Sequence, residues 1–312
     1  MRLLVASRID PEALAHLEAH HDVITAYSAP EDDLNRLVVD REALIFRSGV
    51  AISRGVLEHG SNLKLLVRAG SGLDNLDLDY ARQRGIRLER IPGPGAQAVA
   101  EMTFGLMLSL ARRIVVADGL LRAGRWAKSE MVGHLLQGKT LGIIGLGNIG
   151  SCVARLGAAW EMKIIGCVAD PSTKRRDAFG AAGFELTDCD SVLSNADFVS
   201  VHVPLSDATR GLIDAQALAR MKTGAFLINM ARGGVVNEQA LYEDLAAGEH
   251  LAGAALDVHV QEGDGKLSPL HALTNVVLTP HIGASTVDTQ RQIGREIIRI
   301  VDSWNGSPSA EA

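Results

Sequence analysis

Short apolar runs alternate with helical segments along almost the whole chain, and this alternation limits the fold more than any other feature. Runs at 3–6, 23–26, 43–46, 63–68 and 86–90 read as strands, bounded by polar or glycine-containing stretches. Helical stretches are predicted at 11–20, 53–59 and 77–84, the first with Asp10 as N-cap and Pro11 in its opening turn. A long helix is expected at 96–117, apolar on nearly all sides and therefore covered by another domain or a partner chain. The alternation then restarts, with strands at 140–145, 163–169, 198–203, 225–230, 252–258 and 276–279. Helices separate them near 149–160, 174–182, 190–194, 214–221 and 238–247. Continuous apolar strands such as Leu141-Gly142-Ile143-Ile144 suit a sheet covered on both faces. Repeated strand–helix–strand order predicts an α/β protein with doubly wound parallel sheets.

A length of 312 residues makes two domains the expectation. The final helix, at 286–304, has no strand after it and can return to the first domain, making that domain discontinuous. Hydrophobic residues at 47% and charged residues at 22% exclude a disordered or fibrous chain. The net charge of −6 and only 4% aromatic residues argue against a nucleic-acid partner. No apolar run reaches the ~20 residues of a membrane span, and the N-terminal apolar stretch ending at Ala6 is too short for a signal peptide's apolar region, so a cytoplasmic protein is expected. Cys152, Cys167 and Cys189 lack metal-ligand spacing and read as free thiols in a reducing compartment.

Gly145-Leu146-Gly147-Asn148-Ile149-Gly150 fits the dinucleotide pattern in its required context, after an apolar strand and at the start of a helix. Gly145 allows the tight turn, Gly147 lets a pyrophosphate approach the backbone, and Gly150 lets the helix pack on the strand. The helix N-terminus then turns free N–H groups to the phosphates. Asp170 ends the next strand, where a carboxylate accepts ribose hydroxyls and repels a 2′-phosphate, favouring NAD over NADP. Lys174, Arg175 and Arg176 lie close enough in sequence to weaken that discrimination.

Three later segments place polar residues at strand ends, where ligands bind in open α/β sheets. Arg232 stands between a buried strand and two glycines, and its guanidinium can clamp a carboxylate. Asp257 through Glu262 follow the next strand, and His281 follows the last. A hydride delivered to a ketone leaves negative charge on oxygen that needs a proton, and histidine is suited to supply it. A neighbouring carboxylate, for which Glu262 is the natural choice, would orient the ring and favour its charged form.

Taken jointly, these segments resemble the D-isomer-specific 2-hydroxyacid dehydrogenases, in their phosphoglycerate dehydrogenase-like branch. The likeness also covers Val67 to Asp77, Gly138 to Gly150, His202 to Thr209, Asn229 to Gly234, Ala254 to Glu262 and Pro280 to Thr286. It implies two Rossmann-like doubly wound domains. The substrate domain is flavodoxin-like and discontinuous, at 1–96 and 287–312, with the NAD domain at 97–286 inserted. It implies Arg232, Glu262 and His281 as the catalytic residues, with His281 as acid in reduction and base in oxidation. It implies NAD contacts from Gly145, Gly147, Asn148, Ile149, Gly150, Asp170, Val203, Pro204, Thr209, Ala231, Arg232, Asp257, His281 and Gly283. For a small anionic 2-hydroxy or 2-oxo acid it implies Arg47, Ser48, Ala69, Gly70, Ser71, Gly72, Arg232 and His281, the glycine loop forming an anion nest.

A homodimer through the 96–117 helix and the arm to Trp126 is also implied. D-3-phosphoglycerate is the leading substrate, with hydroxypyruvate, glyoxylate or another small 2-oxo acid as rivals. A non-catalytic NAD-sensing corepressor of the same fold is the alternative of another class. The length leaves no room for a regulatory domain after the last helix, so serine feedback is not expected. Among the departures from the family pattern, Gly263 replaces a usual proline after Glu262, so a looser loop is expected, and His259 stands where an aromatic is common.

Overall fold

A computed structural model describes residues 1–169, 172 and 179–304. The chain divides into one unit of Met1–Gly95 with Ser285–Ala312 and a second of Ala96–Ala284.

In the first unit, strands β1 (Arg2–Val5), β2 (Asp22–Thr25), β3 (Ala43–Phe46), β4 (Leu65–Arg68) and β5 (Arg87–Arg90) form a parallel sheet ordered β2-β1-β3-β4-β5. This is the flavodoxin order. Both faces are covered, because successive side chains alternate across the pleat. Leu4, Leu44, Phe46 and Leu66 enter one core; Leu3, Val5, Ala43, Ile45, Leu65 and Val67 enter the other. The helix Pro11–His20 starts where Asp10 accepts the Ala13 N–H at 3.2 Å. The helix Val287–Asp302 packs against it, and a Cβ on Gly294 would lie 2.9 Å from that of Ala13. The late helix therefore closes the core begun by the first strands. The helix Glu31–Leu37 has no apolar period and is absent from the sequence expectations.

In the second unit, β6 (Thr140–Ile144), β7 (Lys163–Cys167), β8 (Glu185–Leu186), β9 (Phe198–Val201), β10 (Phe226–Asn229), β11 (Gly253–Leu256) and β12 (Val276–Leu278) are all parallel. Their order, β12-β11-β10-β9-β6-β7-β8, reverses direction at β6. That reversal is the switch point where such sheets bind ligands. Five neighbouring strands, β12 to β6, deliver their carboxyl ends to one edge.

Two expectations are corrected. The helix expected at 96–117 is two helices, Gly95–Ala111 and Ile114–Arg122, broken at Arg113 with φ of 52°. The first is largely buried, whereas the second buries none of its residues. Cys167 and Cys189, expected as free thiols, form a disulfide with Cα atoms 5.4 Å apart. The end of β7 and the start of the helix Cys189–Asn195 meet in space despite 22 residues of separation. Cys152 remains free. The helix predicted at 174–182 lies mostly outside the described residues. Among the described residues, no helix is long and apolar enough to cross a membrane, and no group of side chains is arranged to hold a metal ion.

Candidate active site

The glycine turn leaves β6 at Gly145, whose φ of 97° favours glycine. A Cβ on Gly145 would sit 2.8 Å from the His202 carbonyl and 2.9 Å from the Val203 side chain. A Cβ on Gly150 would overlap the Gly145 carbonyl, so helix and turn touch backbone to backbone. Gly147 is different, since a Cβ there would meet nothing within 4 Å. It is the N-cap of the helix Asn148–Ala159, and no side chain caps that end. An uncapped helix N-terminus facing open space fits a dinucleotide's pyrophosphate. Asn148 and Ile149 lie in its first turn, and Val203 flanks Gly145. Thr209 accepts the Ser206 N–H at 2.8 Å and donates to the Pro204 carbonyl at 2.6 Å, closing the loop after β9. Asp170 lies outside the described residues.

At the end of β10, buried Asn229 folds the chain back on itself. Its side chain accepts the Ala231 N–H at 3.1 Å and donates to the Arg232 carbonyl at 3.3 Å. The Arg232 guanidinium donates to the Ala231 carbonyl at 2.7 Å. A Cβ on Gly233 would overlap the His259 carbonyl, so the Arg232 turn lies directly on the loop that follows β11.

That loop carries Glu262, and the turn after β12 carries His281. The two meet: His281 Nδ1 donates to the Glu262 oxygens at 2.9 and 3.0 Å. Burial raises the Glu262 carboxyl, but the His281 bond and charge and the His259 N–H outweigh it and hold it below its ordinary value. His281 is left-handed, with φ of 54°, a conformation uncommon outside glycine. Asp257 holds it there. Its Oδ1 accepts the Thr279 hydroxyl at 2.6 Å and the Ile282 N–H at 2.9 Å, and its Oδ2 accepts the Gly283 N–H at 2.7 Å. Asp257, expected beside the cofactor, is thus engaged in bracing the turn on both sides of His281. A cavity of about 280 Å³ lies beside the pair, lined by His259, Glu262, Lys266, His271, Pro280 and His281.

The first unit presents its own strand ends. Arg47 follows β3, half-buried, and burial pushes its guanidinium below the ordinary value. No anionic partner for its side chain is found among the described residues. Ser48 beside it is exposed. The Ala69 N–H is accepted by the Phe46 carbonyl at 2.9 Å and the Gly70 N–H by the Arg68 carbonyl at 2.8 Å, so two of the four loop N–H groups expected to face an anion are engaged within the protein. Buried Arg68 underlies this loop, donating from Nε to the Gly72 carbonyl at 2.8 Å. Arg68, Asn229 and Thr279 are positioning groups that sequence motifs contain without distinguishing.

Residues 104–283 match the family model for the NAD-binding domain of D-isomer specific 2-hydroxyacid dehydrogenases. A hydroxypyruvate reductase of Thermotoga maritima is 40% identical over 95% of this chain and 96% of its own length. A D-3-phosphoglycerate dehydrogenase of Archaeoglobus fulgidus is 38% identical over the whole chain, which spans only 59% of that relative. A D-lactate dehydrogenase of Aquifex aeolicus, solved with NAD and lactic acid, superposes with a TM-score of 0.86 at 28% identity, over 97% of this chain and 95% of that one. With both parallel sheets in place, a glycine turn at the switch point and a histidine–carboxylate pair on neighbouring strand ends, the chain belongs to the D-isomer specific 2-hydroxyacid dehydrogenases, NAD-dependent oxidoreductases of the CH–OH group.

Proposed function

We propose that this enzyme interconverts D-3-phosphoglycerate and its 2-oxo acid. The observation that carries the reaction is the Glu262–His281 pair at 2.9 Å, set on a strand end beside the Arg232 turn. The glycine turn at Gly145, Gly147 and Gly150 would hold NAD, whose nicotinamide would supply the hydride acceptor or donor. In reduction, His281 gives its proton from Nε2 to the carbonyl oxygen, because Glu262 holds Nδ1. In oxidation the same atom receives the proton. Glu262, kept ionised, orients the ring and balances the imidazolium. Arg232 clamps the substrate carboxylate and offsets charge growing on the oxygen.

The phosphate is the finer part of the reading. Arg47 supports it, since a half-buried guanidinium without an anionic partner among the described residues gains most from a dianionic ligand. A second reading, hydroxypyruvate reduction, is favoured by the near full-length likeness to the Thermotoga enzyme. The two 2-oxo acids share a three-carbon skeleton and differ only in the C3 phosphate. The proposal includes a preference for NAD over NADP through Asp170. It also includes a homodimer that covers exposed Ile114, Val115, Leu121, Trp126, Val132 and Leu135.

A panel of 2-oxo acids with NADH and NADPH in parallel tests this reading. Preference for the phosphorylated substrate, lost in Arg47→Ala, is expected. Equal turnover of hydroxypyruvate, unaffected by Arg47→Ala, would assign the second reading. Faster reaction with NADPH would overturn the Asp170 assignment, and a monomer in sedimentation would overturn the dimer.

A further inference from the structure

Glu238 is the first residue of the helix Glu238–Ala247, directly after its N-cap Asn237. An acid there ordinarily complements the helix N-terminus from solvent. This one is only 7% exposed, and its oxygens reach elsewhere. Oε1 accepts the Val260 N–H at 2.7 Å, and Oε2 accepts the Ser268 hydroxyl at 2.5 Å.

Val260 and Ser268 are the two ends of the loop that carries Glu262. Every residue from 260 to 267 is exposed, and Gly263 and Gly265 have φ of 120° and 74°. Such a segment has little packing of its own to hold one geometry. Burying a carboxylate is tolerated only when its oxygens are satisfied, and here the donors come from the two loop ends. The adjacent N–H, that of His259, goes to Glu262 itself at 3.3 Å. Consecutive backbone donors thus tie the loop to two different carboxylates. Glu238 also follows Arg232 by six residues, on the segment whose Gly233 lies against His259.

We propose that Glu238 is a positioning residue for the reaction: by gripping both ends of the 260–268 loop, it presents the Glu262 carboxylate to His281 Nδ1. This rests on Glu262 and His281 being the proton-transfer pair. The geometry explains how a loop with glycine in place of proline after Glu262 still places that carboxylate.

The test is a double-mutant cycle on the intact enzyme, with the best substrate of the 2-oxo acid panel. Glu238→Ala is expected to lower kcat roughly ten-fold, as misplacement of a catalytic group does, with KM for NADH unchanged. Glu238→Gln keeps an acceptor for Val260 and a partner for Ser268, and should restore most of the rate. In a Glu262→Gln background, Glu238→Ala should cost nothing further, because its effect passes through Glu262. Should Glu238→Ala not fold, Ser268→Ala releases one end alone; a smaller loss, about three-fold, that also vanishes in the Glu262→Gln background is expected. An undiminished kcat in folded Glu238→Ala, or an equal loss in both backgrounds, would overturn the proposal. Undiminished kcat in Glu262→Gln by itself would instead remove the pair on which the proposal rests.

Discussion

Asp257 clamps the chain on both sides of His281. It accepts the Thr279 hydroxyl at 2.6 Å before the histidine and the Gly283 N–H at 2.7 Å after it. His281 itself keeps a left-handed backbone between these anchors. Replacing the carboxylate by an amide turns a donor toward one of these donors, and Asp257 is 2% exposed, so water cannot take its place. Asp257→Asn is expected to lose about 2 kcal/mol of stability in urea unfolding. It should also lose kcat roughly ten-fold or more while the protein stays folded. Retention of full activity would show that the clamp does not set the His281 geometry.

Removing the imidazole tests the proton path directly. His281→Ala should reduce kcat by about two to four orders of magnitude, the usual contribution of a general acid–base group. The NADH dissociation constant should change little, because the glycine turn is intact. Near wild-type turnover would exclude His281 as the proton donor.

Gly147 and Gly150 separate binding from folding. A Cβ at Gly147 meets nothing within 4 Å, so Gly147→Val should stay within about 0.5 kcal/mol of the parent in stability. Its NADH dissociation constant should rise at least about ten-fold, as the side chain fills the space for the pyrophosphate. Gly150→Val should instead destabilise the fold, because its Cβ overlaps the Gly145 carbonyl. Equal NADH affinity in Gly147→Val and the parent would relocate the phosphate site.

The pH dependence of stability should carry the mark of His202. Burial lowers its ring pKa to about 3, and Ser200 Oγ lies 2.7 Å from Nε2. In the unfolded chain the ring titrates near its ordinary value of 6.5. Between those values the unfolded state binds a proton that the folded state refuses, so stability falls as pH drops below the unfolded value. From about pH 7 to about pH 5 the parent should lose about 2 kcal/mol more than His202→Gln in denaturant titrations. Parallel curves for the two proteins would show that burial does not lower the His202 pKa.

Much of this molecule was legible because it is local. Asp10 and Pro11 mark a helix start wherever that helix packs, and a strand followed by Gly145, Gly147 and Gly150 makes the same turn in any parallel sheet. Neighbours in sequence supply all the physics such features need: φ, caps and the alternation of side chains. Glu262 and His281 stood out after successive strands, as a histidine and the carboxylate suited to orient it, although the sequence alone did not show that they meet.

Tertiary structure decided what depends on strand order. Glu262 and His281 stand 19 residues apart, and they meet only because β11 and β12 are neighbours. Cys167 and Cys189 pair because the end of β7 and the start of the helix Cys189–Asn195 lie side by side. The helix break at Arg113 falls where no glycine or proline marks it. Glu238 reads as an ordinary first-turn acid until Val260 and Ser268, 22 and 30 residues away, are brought onto its two oxygens. Local sequence thus determined the elements and the chemistry they could hold, while the order of the strands chose which side chains face one another.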